Sequence, residues 1–156
     1  MMEAIVKHGG ACMHVTGFFA YRDLPCGEAS ARAFLAQYQS TGVLDFADCL
    51  GVYREDGTAV WFADNYGGSS FFINWQTGTI SPSLYESAAP EERKPNPVAI
   101  AEFLYFGCTY SYDTIFSGVT RSDPDCYYVV RGTGIETRSK ELPPLEQLEP
   151  GQEAMA

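Results

Sequence analysis

The run LGVYREDGTAVWFADNYGGSSFFIN, residues 50–74, sets the fold class. Leu50–Arg54 and Thr58–Ala63 are rich in β-branched and aromatic residues, which suit a pleated, half-buried surface. Between them stands Glu55-Asp56-Gly57. An Asp-Gly pair tolerates positive φ at both central positions of a tight turn, so the two runs predict an antiparallel hairpin. The next segment, Ala63–Asn74, reads as the end of a strand, a glycine turn at Asp64–Gly68 and a further strand. A third turn is marked by Gln76-Thr77-Gly78. Residues 50–81 are therefore expected to form one antiparallel meander.

Working outward, Ala31, Phe34, Leu35 and Tyr38 recur at helical spacing and predict a helix over 27–40, with Ser30 as a cap near its start and Gly42 just past its end. Before it, Met13–Tyr21 is apolar enough for a buried strand, and residues 1–10 are expected to fray. After the meander, 82–95 reads as a loop. Asn96-Pro97 opens a second helix to about Phe106: Asn caps, Pro suits the first helical position, and Gly107 stops it. This helix is apolar on nearly every face, which predicts burial. Strands follow at 126–131 and 135–139 around Gly132-Thr133-Gly134. The expected fold class is α+β, an antiparallel sheet with two main helices, in one domain over 1–140. The acidic, Pro-containing tail over 141–156 is expected to be disordered.

Bulk chemistry narrows the partners. Twenty acidic residues against ten basic ones give a formal charge of −10 in 156 residues. That field repels phosphate backbones and anionic lipid surfaces, so neither nucleic acid nor membrane is an expected partner. The longest apolar run, near Val98–Tyr110, contains Glu102 and is shorter than the ~20 residues of a membrane-spanning helix. Five cysteines (12, 26, 49, 108 and 126) lie at irregular spacing without a CxxC pair. They predict reduced thiols in a cytoplasmic protein. His8, Cys12 and His14 are metal-type ligands within seven residues, but a zinc site needs a fourth, which Asp23 or Cys26 could supply only by folding back. No metal or cofactor is expected. Cys12 with His14 has no orienting carboxylate or oxyanion donor at recognisable spacing, so a thiol nucleophile there is the weaker reading.

Two blocks together resemble the glutamine amidotransferase domain of the asparagine synthetase family, an N-terminal-nucleophile hydrolase fold. The first runs from Leu50-Gly51-Val52-Tyr53 through WFADNYGGSSFFIN and is similar to the family's central hairpin. The second, NPVAIAEFLYFGCTYSYDTIFSGVTRSDPDCYYVV at 96–130, is similar to the family's helix, Phe-Gly stop and Thr-Leu-Phe-x-Gly-Ile turn, in that order. The resemblance covers roughly residues 28–140.

The departures from that family decide the functional expectation. Active members use an N-terminal cysteine whose own α-amine is the base. Here Met1 is followed by Met2, which is too large for ordinary Met removal, and some 26 residues before the first helix are too few for the family's glutamine-binding segments. Against the family pattern, Ser30 stands where active members carry the Asp that grips the glutamine amino group. Ala63 replaces an Arg, Ser70 a Pro, and Ser122-Asp123-Pro124-Asp125 a Leu-Pro-Pro-Gly. No Ser-Gly-Gly-x-Asp-Ser loop for ATP occurs. The resemblance thus implies a frame without its chemistry: a pseudoenzyme acting as a structural or assembly partner, as a homodimer or with an ATP-dependent synthetase or peptide cyclase. The alternatives are a module keeping a remnant amino-acid pocket, built from Ser30, Asp64, Asn65 and Gly67, or a Cys-dependent amidohydrolase. Asp64–Gly68 could also offer backbone N–H groups to an anion, although its carboxylate opposes one.

Overall fold

The computed structural model describes residues 3–8, 10–16, 21, 24–44 and 50–141. The fold is α+β. Among the described residues nine strands, β1 (Glu3–His8), β2 (Ala11–Thr16), β3 (Leu50–Glu55), β4 (Thr58–Phe62), β5 (Phe72–Asn74), β6 (Thr79–Ser81), β7 (Val119–Arg121), β8 (Cys126–Arg131) and β9 (Gly134–Ser139), are joined by helices α1 (Glu28–Thr41) and α2 (Pro97–Phe106). Six strands form a sheet in the order β1-β2-β3-β4-β8-β9, and three form a second in the order β6-β5-β7. Every pairing is antiparallel.

Register explains the core. Val6 pairs with Met13, Met13 with Tyr53, Tyr53 with Val60 and Val60 with Val129, so one row of apolar side chains crosses five strands. Because side chains alternate along a strand, this row and its neighbours Val15, Phe62 and Tyr127 share one face. Helix α1 covers that face with Ala31, Phe34 and Leu35. On the opposite face Trp61 and Tyr128 meet the small sheet through Phe71 and Ile73. The rings of Phe71 and Tyr128 pack edge to face at 5.4 Å. The chain is thus layered as helix, large sheet, small sheet.

The Asp56-Gly57 hairpin forms as the sequence predicts, with φ of 46° and 76° at its two central residues. Helix α1 and strands β8 and β9 also lie where expected. Four expectations are corrected. Residues 3–8 are not frayed: they pair along all of β2, because Val6 supplies the outermost member of the apolar row. The Met13–Tyr21 strand is shifted, running from Ala11 to Thr16, and residues 17–20 of that expectation lie outside the described residues. The meander breaks in two, because β4 pairs with β8 while β5 pairs with β6 and β7. Residues 63–71 are therefore a crossing between sheets rather than a hairpin turn. Finally, α2 is exposed, not buried: Ala99 is its one buried residue. The tail expected over 141–156 lies, beyond Glu141, outside the described residues.

Candidate functional site

The crossing loop is folded by its own first residue. Asp64 is 5% exposed. Its Oδ1 accepts the backbone N–H of Tyr66 at 3.0 Å and of Gly68 at 2.9 Å, and its Oδ2 accepts that of Ser69. A carboxylate held by three backbone donors acts as an internal anion in the loop. The N–H groups that could have cradled an external anion are already engaged. Asn65 turns its Oδ1 to the ammonium of Lys140, at 3.2 Å. Gly67 takes φ 71° and lines a cavity.

Ser30 has a different place. The cap of α1 is Gly27, which gives no side-chain bond. Ser30 sits inside the first turn, fully buried, accepting the N–H of Tyr21 at 3.0 Å and donating to the carbonyl of Pro25 at 2.8 Å. It fastens the incoming chain to the helix, and none of its partners belongs to the 64–69 loop. The structure brings Asp64, Asn65 and Gly67 together and leaves Ser30 apart.

Lys140 is the functional-looking residue that sequence reasoning passed over. It is 7% exposed at the end of β9. Its ammonium donates to the carbonyls of Ala63 at 2.5 Å and Pro124 at 2.7 Å, and to Asn65. A buried ammonium is tolerated only where its donors are satisfied, and here oxygens from two loops converge on it. No sequence signal marks it, because those oxygens are mostly main-chain.

The cavity beside this knot holds about 250 Å³ and is lined by Tyr66, Gly67, Ser69, Ser70, Tyr112, Arg121, Ser122 and Pro124. Ser122 accepts the N–H of Phe71 through its hydroxyl and donates its own N–H to the Phe71 carbonyl, so the two walls are clamped together. Arg121 closes β7 and rests its guanidinium over the Tyr112 ring, 5.9 Å from the centroid.

Burial, reinforced by Asp123, pushes the Cys126 thiol above its ordinary value, which disfavours the reactive thiolate. Cys12 and His14 alternate with buried Ala11, Met13 and Val15 and so share the opposite face of β2. Among the described residues no three His, Cys, Asp or Glu side chains converge as a metal site would require.

The second notable surface is α2. Asn96 caps it by accepting the N–H of Ala99, and Gly107 ends it at φ 74°. The helix is well formed yet uncovered: Val98 is 64% exposed, Leu104 77% and Tyr105 84%. Phe103 and Phe106 add to the same exposed surface, and Tyr110 packs its ring on Phe106 at 4.9 Å. A shallow groove between Val98, Ala101 and Phe106 carries a single carboxylate, Glu102, which accepts the N–H of Tyr110.

Comparison with known proteins gives one partial likeness to report. The chain is 37% identical over 65 residues to a protein of Archaeoglobus fulgidus described as an uncharacterized protein. The matched stretch covers 42% of this chain and 38% of that relative, well under two thirds of its length. No family profile matches the chain. No solved structure matches it. No helix among the described residues is long and apolar enough to cross a membrane.

Proposed function

We propose that the protein works by association: a non-catalytic domain, related in frame to the glutamine amidotransferase domain of the asparagine synthetase family, that docks onto an ATP-dependent synthetase or peptide cyclase subunit. The observation that carries this reading is the exposure of α2. A helix with a polar outer face is what solvent ordinarily selects. This one exposes Val98 and, in succession, Phe103, Leu104, Tyr105 and Phe106. Burying one such side chain is worth about 1.5–3 kcal/mol, so a partner covering several would gain a strong central anchor. Aromatic residues at the centre and few charges are the composition of an interface core.

Charge indicates what kind of surface fits. The chain carries −10, and the α2 groove holds only Glu102. The complementary partner has an apolar centre and a basic rim, which also disfavours a second copy of this acidic chain. The partner's class comes from the resemblance of residues 96–130, in which this same helix lies.

The experiment is a binding comparison with candidate synthetase or cyclase subunits from the same source, read by analytical ultracentrifugation. Wild-type protein should form a stoichiometric complex, and the double substitution Leu104→Glu, Phe106→Glu should abolish it without loss of helix signal. A complex indifferent to both substitutions would remove the α2 face from the account. A wild-type protein that forms only homodimers through this face would replace the synthetase with a second copy.

A further inference from the structure

We infer that the cavity between the 66–70 loop and the end of β7 is a binding site for a small monocarboxylate, held by Arg121. This inference stands on residues remote in sequence from α2 and does not depend on the docking reading. Three observations converge on it.

The first is the state of Arg121. Two guanidinium groups are ion-paired, Arg32 with Glu28 at 2.6 Å and Arg138 with Glu136 at 2.9 Å. Arg121, like Arg54 over Trp61, instead meets a ring, and it lines this cavity. Its backbone N–H donates to the Tyr112 carbonyl at 2.6 Å, and its guanidinium makes a ring contact with Tyr112. Among the described residues its five N–H donors have neither a hydrogen-bond nor an ion-pair partner. A guanidinium resting over a ring keeps its donors available to a planar, bidentate acceptor.

The second is what stands around it. Ser69, Ser70 and Ser122 line it beside Tyr66, Tyr112 and Pro124. These are the few polar groups on an otherwise shaped wall that orient a small ligand. At about 250 Å³, the space equals roughly eight waters at ~30 Å³ each, which limits the ligand to a small metabolite.

The third is the surrounding charge, which selects the class of anion. Asp64 lies directly under the loop, its oxygens 3.7 and 3.8 Å from where a Cβ on Gly68 would sit. Asp123 and Asp125 flank Pro124 of the lining, and after burial they are the groups that push the Tyr112 hydroxyl above its ordinary value. These carboxylates beside the lining make a doubly charged phosphate the more strongly repelled anion. A single carboxylate with an uncharged remainder satisfies Arg121 at the least repulsion.

The test is a titration of the full chain, uniformly labelled with ¹⁵N, against acetate, butyrate and benzoate, followed through its backbone amide shifts. Butyramide, which keeps the shape and removes the charge, and inorganic phosphate serve as comparison probes. At least one carboxylate is expected to give saturable shifts centred on Gly67, Ser69, Ser70 and Arg121, with butyramide and phosphate giving none. Arg121→Gln should weaken that binding about tenfold or more, the loss of one charge-assisted pair. Arg121 is exposed, so an unchanged amide spectrum elsewhere will show that the variant folds. Absence of saturable shifts with every carboxylate overturns the inference, as does equal binding by Arg121→Gln. Tighter binding of phosphate than of any carboxylate overturns the assigned ligand class.

Discussion

The ammonium of Lys140 donates to the carbonyl oxygen of Ala63 at 2.5 Å, joining the end of β9 to the exit of β4 across 77 residues of sequence. The same group holds Pro124 and Asn65. One side chain therefore fixes both walls of the Arg121 cavity and the crossing between the two sheets. Lys140→Met keeps the stem and deletes the donors, leaving buried oxygens without a partner. The expected cost is about 1–3 kcal/mol in urea denaturation. Unchanged stability would show that the knot is dispensable.

Gly51 lies under the ring of Phe62, its pairing partner on β4. A Cβ at position 51 would stand 2.3 Å from the Phe62 Cζ. Gly51→Ala forces that ring out of a fully buried site and should cost about 1–3 kcal/mol, as overpacking does. Adding Phe62→Leu, which shortens the intruding side chain, should recover part of the loss relative to Phe62→Leu alone. A double-mutant cycle with no coupling would refute the contact.

Tyr128 gives the fold an alkaline limit. Burial, the largest cause, pushes its hydroxyl up to about 12 from an ordinary 10.0. Its oxygen also accepts the Asp123 N–H at 2.9 Å. The folded state prefers the protonated phenol, so this contribution is fully present below pH 10 and is lost as pH rises through about 12. Denaturant midpoints should fall across that window. Tyr128→Phe, which has no group to ionise, should flatten part of the decline. A variant with the wild-type alkaline profile would reassign the effect to other tyrosines, among which burial also raises Tyr53.

Much of the architecture was legible because local chemistry and register agree. Asp56-Gly57 fixes the β3–β4 hairpin, Asn96-Pro97 and Gly107 bound α2, and the spacing of Ala31, Phe34 and Leu35 gives the buried side of α1. The failures share a physical origin in long-range pairing. Residues 63–74 carry turn and strand residues whether they form a hairpin or a crossing, and only the pairing of β4 with β8 separates the two. Apolar content on nearly every face of α2 reads as burial, and only the packing of the other elements leaves that helix exposed. In the cavity, Gly67 was visible as a turn glycine, whereas Arg121 and Tyr112 meet it, and Lys140 reaches the adjoining loops, through sheet topology alone.

The central claim is that α2 is a docking face, and site-directed photocrosslinking tests it most directly. A benzoylphenylalanine placed at Leu104, irradiated in cells of the protein's own source and read by mass spectrometry, should crosslink to an ATP-dependent synthetase or cyclase subunit. The same probe at exposed Glu136, on β9, should not. Equal products from both positions, or none at 104 beyond the free chain, would contradict the account.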